Sequence, residues 1–120
     1  MTYKDRNNRL LFEDMLTSSD KIIEYTKTFK SFSDFVTDLK ATEAVQYNLI
    51  IIGEASKNIS DEVKEKFRNI IPFEEISGLR NRLVHDYLGT DYSLIWEIVA
   101  SDIPKLKEAL ETILDDENQF

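Results

Sequence analysis

This chain of 120 residues contains no cysteine, so neither a disulfide nor a thiolate metal site can form. Its three glycines and two prolines leave long uninterrupted segments, and no segment alternates like a half-buried strand. The longest apolar run, Leu49 to Ile52, is far too short to cross a bilayer. The first residues are polar and lack the apolar segment of a secretory signal. These features predict a cytoplasmic protein with no membrane association.

Positive charge is also scarce: the chain has 15 lysines and arginines and 23 acidic residues, which gives a net charge of −8. A uniformly acidic surface repels phosphate, which disfavours a general nucleic-acid binder. Three of the 23 acidic residues lie together at 115–117, however, and the basic residues are clustered. The charge therefore still allows an enzyme with one basic cleft. The clusters are Lys4, Arg6 and Arg9; Lys64, Lys66 and Arg68; and Arg80 with Arg82.

Apolar residues and small serines recur every three or four positions, which is typical of amphipathic helices. The predicted stripes are Leu11, Met15, Ser18, Ile22, Tyr25 and Phe29 on the first helix; Val45, Leu49, Ile52, Ser56 and Ile59 on the third; and Ile95, Val99, Ile103, Leu106, Leu110 and Ile113 on the last. The length predicts one domain spanning 1–120, with a frayed acidic tail at about 115–120. The expected fold class is all-α, an antiparallel bundle of four main helices plus short connecting helices. The first three predicted helices run from about Asp5 to Phe29, from a cap at Ser33 through Leu39, and from about Thr42 to Asn58. A short fourth helix runs from a cap at Ser60 to about Phe67, and a fifth runs from about Phe73 to Leu88 and ends before Gly89. The last helix starts near Asp91 or Ser93 and is interrupted at Pro104.

The segment from Arg80 to Tyr87 carries the most chemical information. It holds the only histidine of the chain, His85, five residues after Arg80 and two before Tyr87. Histidine can act as an acid or base near neutral pH, arginine is a permanent cation shaped for phosphate, and tyrosine offers a hydroxyl. A lone histidine is weak evidence of catalysis, but together these three side chains suit chemistry on a phosphodiester.

Arg80 falls inside the apolar face of its predicted helix, between Ile76 and Leu83. Leu83 and Val84 are expected in the core. An arginine in an apolar stripe is costly unless a partner neutralises it or the stripe lines a cleft. A snorkelling or salt-bridged arginine is the simpler explanation, and a functional cleft is the other.

A single straight helix aims Arg80 and His85 in different directions. The offset of five residues places His85 about 140° around the helix from Arg80, whereas Asn81 lies four residues before His85 and is its natural neighbour. Either the helix end distorts near Gly89, or two chains pair and complete one cleft. The paired arrangement is preferred.

The pattern Arg80-x4-His85-x-Tyr87, with Asn81 directly after the arginine, resembles the motif of the HEPN superfamily. It is most similar to the HepT toxins of HEPN–MNT toxin–antitoxin pairs. The resemblance covers nearly the whole chain, from about Arg6 to Leu114. One departure is Phe73, where relatives often have tryptophan, and it is expected to be a core substitution. Other matching segments are Gln46–Ala55, with its Gly53-Glu54-Ala55 sequence, Ile76–Tyr87, Leu94–Trp96 and Ile103–Leu106.

This resemblance implies a HEPN fold and a homodimer, or a higher assembly, with the active cleft at the dimer interface. It implies a metal-independent RNA endonuclease that needs no cofactor and leaves DNA uncut. It also implies a toxin whose partner is a cognate MNT nucleotidyltransferase antitoxin. In that family the partner transfers AMP from ATP onto the motif tyrosine, here Tyr87. Bulk and negative charge beside Arg80 would then block the phosphate site.

Each motif residue has an expected role. His85 would be the general base or acid, and Arg80 would hold the phosphate and neutralise developing charge. Asn81 would orient His85 or contact the phosphate. Glu54 is either an ordinary solvated acid or a partner of Arg80 or Arg82 that positions the site. The glycine before it, inside a helix, indicates close helix packing.

Two other classes of protein remain open. A HEPN module could bind a nucleotide or support a nucleotidyltransferase without cutting RNA, and the acidic net charge favours this alternative. The intact Arg80, His85 and Tyr87 favour the nuclease. A plain structural dimerisation bundle leaves Arg80 in its apolar stripe unexplained.

Overall fold

The computed structural model describes residues 7–85 and 91–116, and the regular structure within these ranges is helical throughout. This confirms the predicted all-α class. In chain order the elements are α1 (Asn8–Thr26), α2 (Phe32–Val36), α3 (Leu39–Asn58), α4 (Asp61–Phe67), α5 (Phe73–His85), α6 (Tyr92–Glu97), a π-helical turn (Ile98–Asp102) and α7 (Ile103–Asp115).

Short polar side chains set the starts of most helices. Each accepts a hydrogen bond from a backbone N–H of the first turn, which has no partner inside the helix. The predicted cap at Ser60 is confirmed, because Ser60 accepts from Val63. Of the two starts predicted for the last helix, Asp91 and Ser93, Asp91 is the capping residue and accepts from Ser93 and Leu94. The capping residues are Asn7, Ser31, Asp38, Ser60 and Asp91.

Two predicted helix starts are wrong. Ser31, not Ser33, caps α2, because the Ser31 hydroxyl accepts from the N–H of Asp34 while Ser33 already lies in the first turn. The third helix begins at Leu39 rather than Thr42, because the Asp38 carboxylate accepts from the N–H of Ala41. In both cases another polar residue just upstream occupies the capping position.

Other predicted boundaries differ by a few residues or fall outside the description. The first helix ends at Thr26, three residues before Phe29. Its predicted start at Asp5, the predicted end of α5 at Leu88 and Gly89, and the last four residues of the tail lie outside the described residues.

Helices α1 and α7 run antiparallel along their length. Near the start of α1, Arg9 Nη2 donates to the carbonyl of Leu114 at 3.1 Å, close to the end of α7. Further along α1, Asp20 pairs with Lys107, close to the start of α7. These two contacts fix the relative direction of the two helices.

The start of α1 also lies beside the end of α3. The N–H of Ser60 donates to Asn8 Oδ1 at 2.9 Å, and Asn8 Nδ2 donates to Ser60 Oγ at 3.2 Å. Because α3 ends at Asn58, this exchange places α1 and α3 antiparallel. The three contacts together support the predicted antiparallel bundle.

The core forms where the apolar stripes of α1, α3 and α7 meet. The stripes predicted for the third and last helices are buried along their full length, whereas Tyr25 of the first stripe is 42% exposed. Phe73, the substituted position, is buried. The confirmed stripe residues are Leu11, Met15, Ser18 and Ile22; Val45, Leu49, Ile52, Ser56 and Ile59; and Ile95, Val99, Ile103, Leu106, Leu110 and Ile113.

The interruption predicted at Pro104 takes the form of a π-helical turn. Pro104 lies in the first turn of α7 and has no N–H to donate to the preceding turn. Just before it, the N–H of Ile103 donates to the carbonyl of Ile98, five residues back. The wider turn lets α6 pass into α7 without leaving the apolar stripe.

No helix in the described ranges is both long enough and apolar enough to span a bilayer.

We expect Leu110→Ala to lower the free energy of unfolding by about 2–5 kcal/mol, because truncating a buried leucine loses contacts and leaves a cavity. Leu110 is 0% exposed, whereas Leu39 is 70% exposed. Leu39→Ala is therefore the matched control, with an expected change within about 0.5 kcal/mol. Urea unfolding followed by circular dichroism measures both. Equal effects of the two substitutions would contradict this assignment of the core.

Candidate functional site

The α3–α5 contact is closest at Gly53. A Cβ atom built on Gly53 would lie 2.3 Å from Arg80 Cβ and 2.7 Å from Arg80 Cγ, both far inside van der Waals contact. The missing side chain therefore lets the stem of Arg80 lie directly on the α3 backbone. This confirms close helix packing as the reason for a glycine inside α3.

Glu54, the next residue of α3, forms an ion pair with Arg80 through Nη2. The other terminal nitrogen, Nη1, donates to Asn81 Oδ1 at 3.0 Å. The side chains of Arg80 and Glu54 are only 21% and 29% exposed. Pairing thus offsets the cost of placing Arg80 in an apolar stripe, and it makes Arg80, rather than Arg82, the partner of Glu54.

The guanidinium group of Arg80 is held in place while some of its hydrogen-bond donors have no acceptor among the described residues. It has five N–H donors, and within the described residues the Asn81 oxygen and the Glu54 carboxylate are its acceptors. Arg80 Nε is buried and has no hydrogen-bond partner there. Because Nε is closed to solvent, the donors left for a ligand are the second N–H groups of Nη1 and Nη2. A cation fixed on two sides with such donors is suited to bind an anionic oxygen.

His85 is the last described residue of α5 and is exposed. The amide oxygen of Asn81 accepts a hydrogen bond from Arg80. Val84, expected in the core, is 38% exposed, whereas Leu83 is buried as expected. Within this turn, packing therefore covers the side of α5 that carries Leu83 and leaves Val84 at its margin. Tyr87 lies outside the described residues.

The profile of the family described as "Ribonuclease HepT-like" matches residues 15–113 of this chain, a segment that contains Gly53, Glu54, Arg80 and His85. The chain belongs to the HepT-like ribonuclease family. This confirms the resemblance to HepT proteins and, through them, to the HEPN superfamily.

Curated relatives of this HepT-like chain match over nearly their whole lengths. A Methanocaldococcus jannaschii protein, provisionally named an RNase, is 41% identical over 108 residues, covering 90% of this chain and 97% of the relative. A Caldanaerobacter subterraneus protein with the same provisional name is 40% identical, with 91% and 96% covered. A Thermococcus cleftensis protein named for ribonuclease HepT is 38% identical, with 90% and 96% covered. No solved structure is significantly similar.

Arg82 lies on the exposed side of α5, away from the Glu54 pair. Its charge acts on the cap of α6 instead. The pKa of Asp91 is lowered, first by the hydrogen bond from the Ser93 side chain, then by the Leu94 N–H, and least by the positive charge of Arg82. Arg82 therefore contributes to the electrostatics between α5 and α6 rather than to the Arg80 cluster.

The structure thus brings together Glu54, Arg80 and Asn81, and places His85 at the exposed end of α5. Sequence patterns could not decide whether Glu54 pairs with Arg80 or Arg82. The choice depends on how α3 and α5 are aligned, and the sequence of neither helix alone encodes that alignment. The usable signal was Gly53, since a glycine inside a helix marks a close approach of another backbone or side chain.

We expect Gly53→Ala to destabilise this HepT-like protein, because the added methyl group would force α5 away from α3. Overpacking costs about 1–3 kcal/mol, which exceeds the gain of roughly 1 kcal/mol in helix propensity. Gly78 is the matched control, because a Cβ there meets nothing within 4 Å. Gly78→Ala should stabilise by up to about 1 kcal/mol. Urea unfolding midpoints measure both, and a stabilising Gly53→Ala would disprove the close contact.

Proposed function

We propose that this HepT-like chain is a metal-independent endoribonuclease that cleaves RNA through attack of its own 2′-hydroxyl on the adjacent phosphorus. The observation that carries the proposal is Arg80, an arginine fixed by Glu54 and Asn81 but left with free donors, on the helix that ends in His85. The provisional RNase names of the relatives support the same activity.

In this mechanism the protein supplies electrostatic stabilisation and proton transfer rather than a nucleophile. Arg80 binds the scissile phosphate and neutralises the charge that develops on its oxygens. His85 transfers a proton at the reacting oxygens, since an imidazole can act as either acid or base near neutral pH. The products are a 2′,3′-cyclic phosphate and a 5′-hydroxyl end. DNA lacks the attacking hydroxyl and is not cut.

The active form in this proposal is a homodimer. Arg80 and His85 are about 140° apart around one helix, and Val84, in the last described turn of α5, is 38% exposed. A second copy covering this turn would bury Val84 and complete the cleft. Two copies would also double the positive charge around the phosphate, which a chain of net charge −8 needs locally.

The same proposal makes this protein the toxin of a HEPN–MNT toxin–antitoxin pair. A cognate MNT nucleotidyltransferase would silence it by transferring AMP from ATP onto Tyr87. The support is the motif spacing, which places Tyr87 seven residues after Arg80 and so nearly on the same side of an ideal helix. A nucleotide there would place bulk and negative charge beside Arg80 and exclude the RNA phosphate.

The acidic net charge favours a second candidate, a HEPN module that binds a nucleotide or supports a nucleotidyltransferase without cutting RNA. In that case Arg80 would hold the phosphate of a bound nucleotide, and His85 would have no proton to transfer. The two candidates therefore differ in whether RNA is cut.

We expect the purified protein to cleave total cellular RNA in the presence of EDTA and to leave cyclic phosphate ends. His85→Ala should lower the cleavage rate by about 10²–10⁴-fold, because proton transfer is lost. Gel analysis and end-group labelling measure the products, and circular dichroism confirms that the variant is folded. A wild type that carries no adduct and does not cut RNA would instead support the binding module.

We expect Tyr87→Phe to keep its RNase activity and to resist silencing when incubated with the cognate nucleotidyltransferase and ATP. The physical reason is the loss of the acceptor hydroxyl. Tyr47→Phe is the matched control, because Tyr47 is a tyrosine of the same domain that is 64% exposed. Intact mass should show added AMP on the wild type and on Tyr47→Phe only. Covalent modification of Tyr87→Phe would refute the assignment.

A further inference from the structure

Cleavage by the 2′-hydroxyl requires two proton transfers. One group must remove the proton from O2′ as it attacks, and another must protonate the 5′-oxygen as it leaves. This chain has only one histidine. Within one copy His85 can fill one of the two positions. In the proposed homodimer the other position is open either to the partner's His85 or to a second group of the same copy that lies closer to the bound phosphate.

The structure places one carboxylate directly on the arginine that would bind that phosphate. Glu54 contacts Arg80 Nη2, and with 29% of its side chain exposed it can be reached from solvent. A phosphate bound to the remaining donors of Arg80 would share that guanidinium with Glu54. The carboxylate is thereby within reach of the oxygens around the phosphorus, whereas His85 lies one and a half turns further along α5.

We propose that Glu54 is the general base of the cleavage reaction and that His85 is the general acid. This inference rests on the ribonuclease proposal and assigns the direction of each proton transfer. The Glu54 carboxylate accepts the proton of the 2′-hydroxyl, and O2′ forms a bond to phosphorus. The bond from phosphorus to O5′ breaks, and O5′ takes a proton from protonated His85. Exchange of protons with water then restores the ionised Glu54 and the protonated His85.

Charged groups around Glu54 come from α5 and from α3 itself. Arg80 is the charged group that α5 presents to it, and Lys57 lies three residues further along α3. Asn58 Nδ2 donates to the Glu54 backbone carbonyl at 2.8 Å, which leaves the carboxylate free of that side chain. The buried stripe of α3, which packs against α1, lies on the opposite side of the helix, away from Glu54.

The opposing explanation is that Glu54 only positions Arg80. Glu54→Gln separates the two explanations, because glutamine keeps the length of the side chain and an amide oxygen that can still accept from Arg80. Glutamine cannot, however, take up a proton as a carboxylate does. A positioning role would therefore largely survive this substitution, and a proton-transfer role would not.

The test compares RNA cleavage by the full-length wild type, Glu54→Gln and Glu54→Asp across a pH series. We expect Glu54→Gln to lower kcat by about 10²–10⁴-fold with little change in KM. It should also abolish the fall in kcat/KM on the acidic side of the profile. Glu54→Asp should retain part of the activity and the acidic fall, because it keeps a carboxylate. Glu24→Gln is the matched control, since it removes the same charge from an exposed ion pair with Lys27.

Either of two results would overturn the inference. One is a Glu54→Gln variant of near wild-type kcat. The other is a loss confined to KM, with the acidic side of the pH profile unchanged, which would make Glu54 a positioning residue. If Glu54→Gln does not fold, Glu54→Asp still tests the inference. Its carboxylate is one methylene closer to the backbone, so both an unchanged kcat and an unchanged pH profile in this variant would contradict a general-base role for Glu54. A wild type that cuts RNA and an inactive His85→Ala keep the ribonuclease proposal standing in each case.

Discussion

The close approach of α3 and α5 at Gly53 is the contact on which the arrangement of the site depends. A side chain at this position would collide with the stem of Arg80, at 2.3 Å from its Cβ. With no side chain there, Arg80 lies across α3 and meets the carboxylate of Glu54. A single absent methyl group therefore sets both the spacing of two helices and the environment of the cation.

The rest of the bundle holds α3, on which α5 packs, in place. The α3 helix is anchored by its buried stripe, and the Asn8–Ser60 hydrogen bonds hold its end beside α1. Helix α7 is fixed antiparallel to α1 by contacts near both of its ends. A rigid framework of this kind matters for catalysis, because a phosphate-binding group works best when its position is set before substrate arrives. His85, in contrast, is exposed in the last described turn of α5.

Much of the fold followed from local patterns, and two errors show what those patterns lack. The buried stripes of α3 and α7 were predicted correctly, because burial of one helix face imposes a spacing of three to four residues. The cap at Ser60 was also predicted correctly. The cap of α2 was placed at Ser33 instead of Ser31, because local sequence does not distinguish two nearby serines. Val84 was placed in the core, because periodicity does not distinguish the buried side of a helix from its margin.

The sequence by itself determined the helical class, the positions of the apolar stripes and the Arg80–His85 spacing, because each depends on residues close together along the chain. Only the tertiary structure decided that Glu54 pairs with Arg80 rather than Arg82. The physical reason is the alignment of α5 on α3. That alignment follows from the close packing of the two helices at Gly53, and the pattern of neither helix contains it.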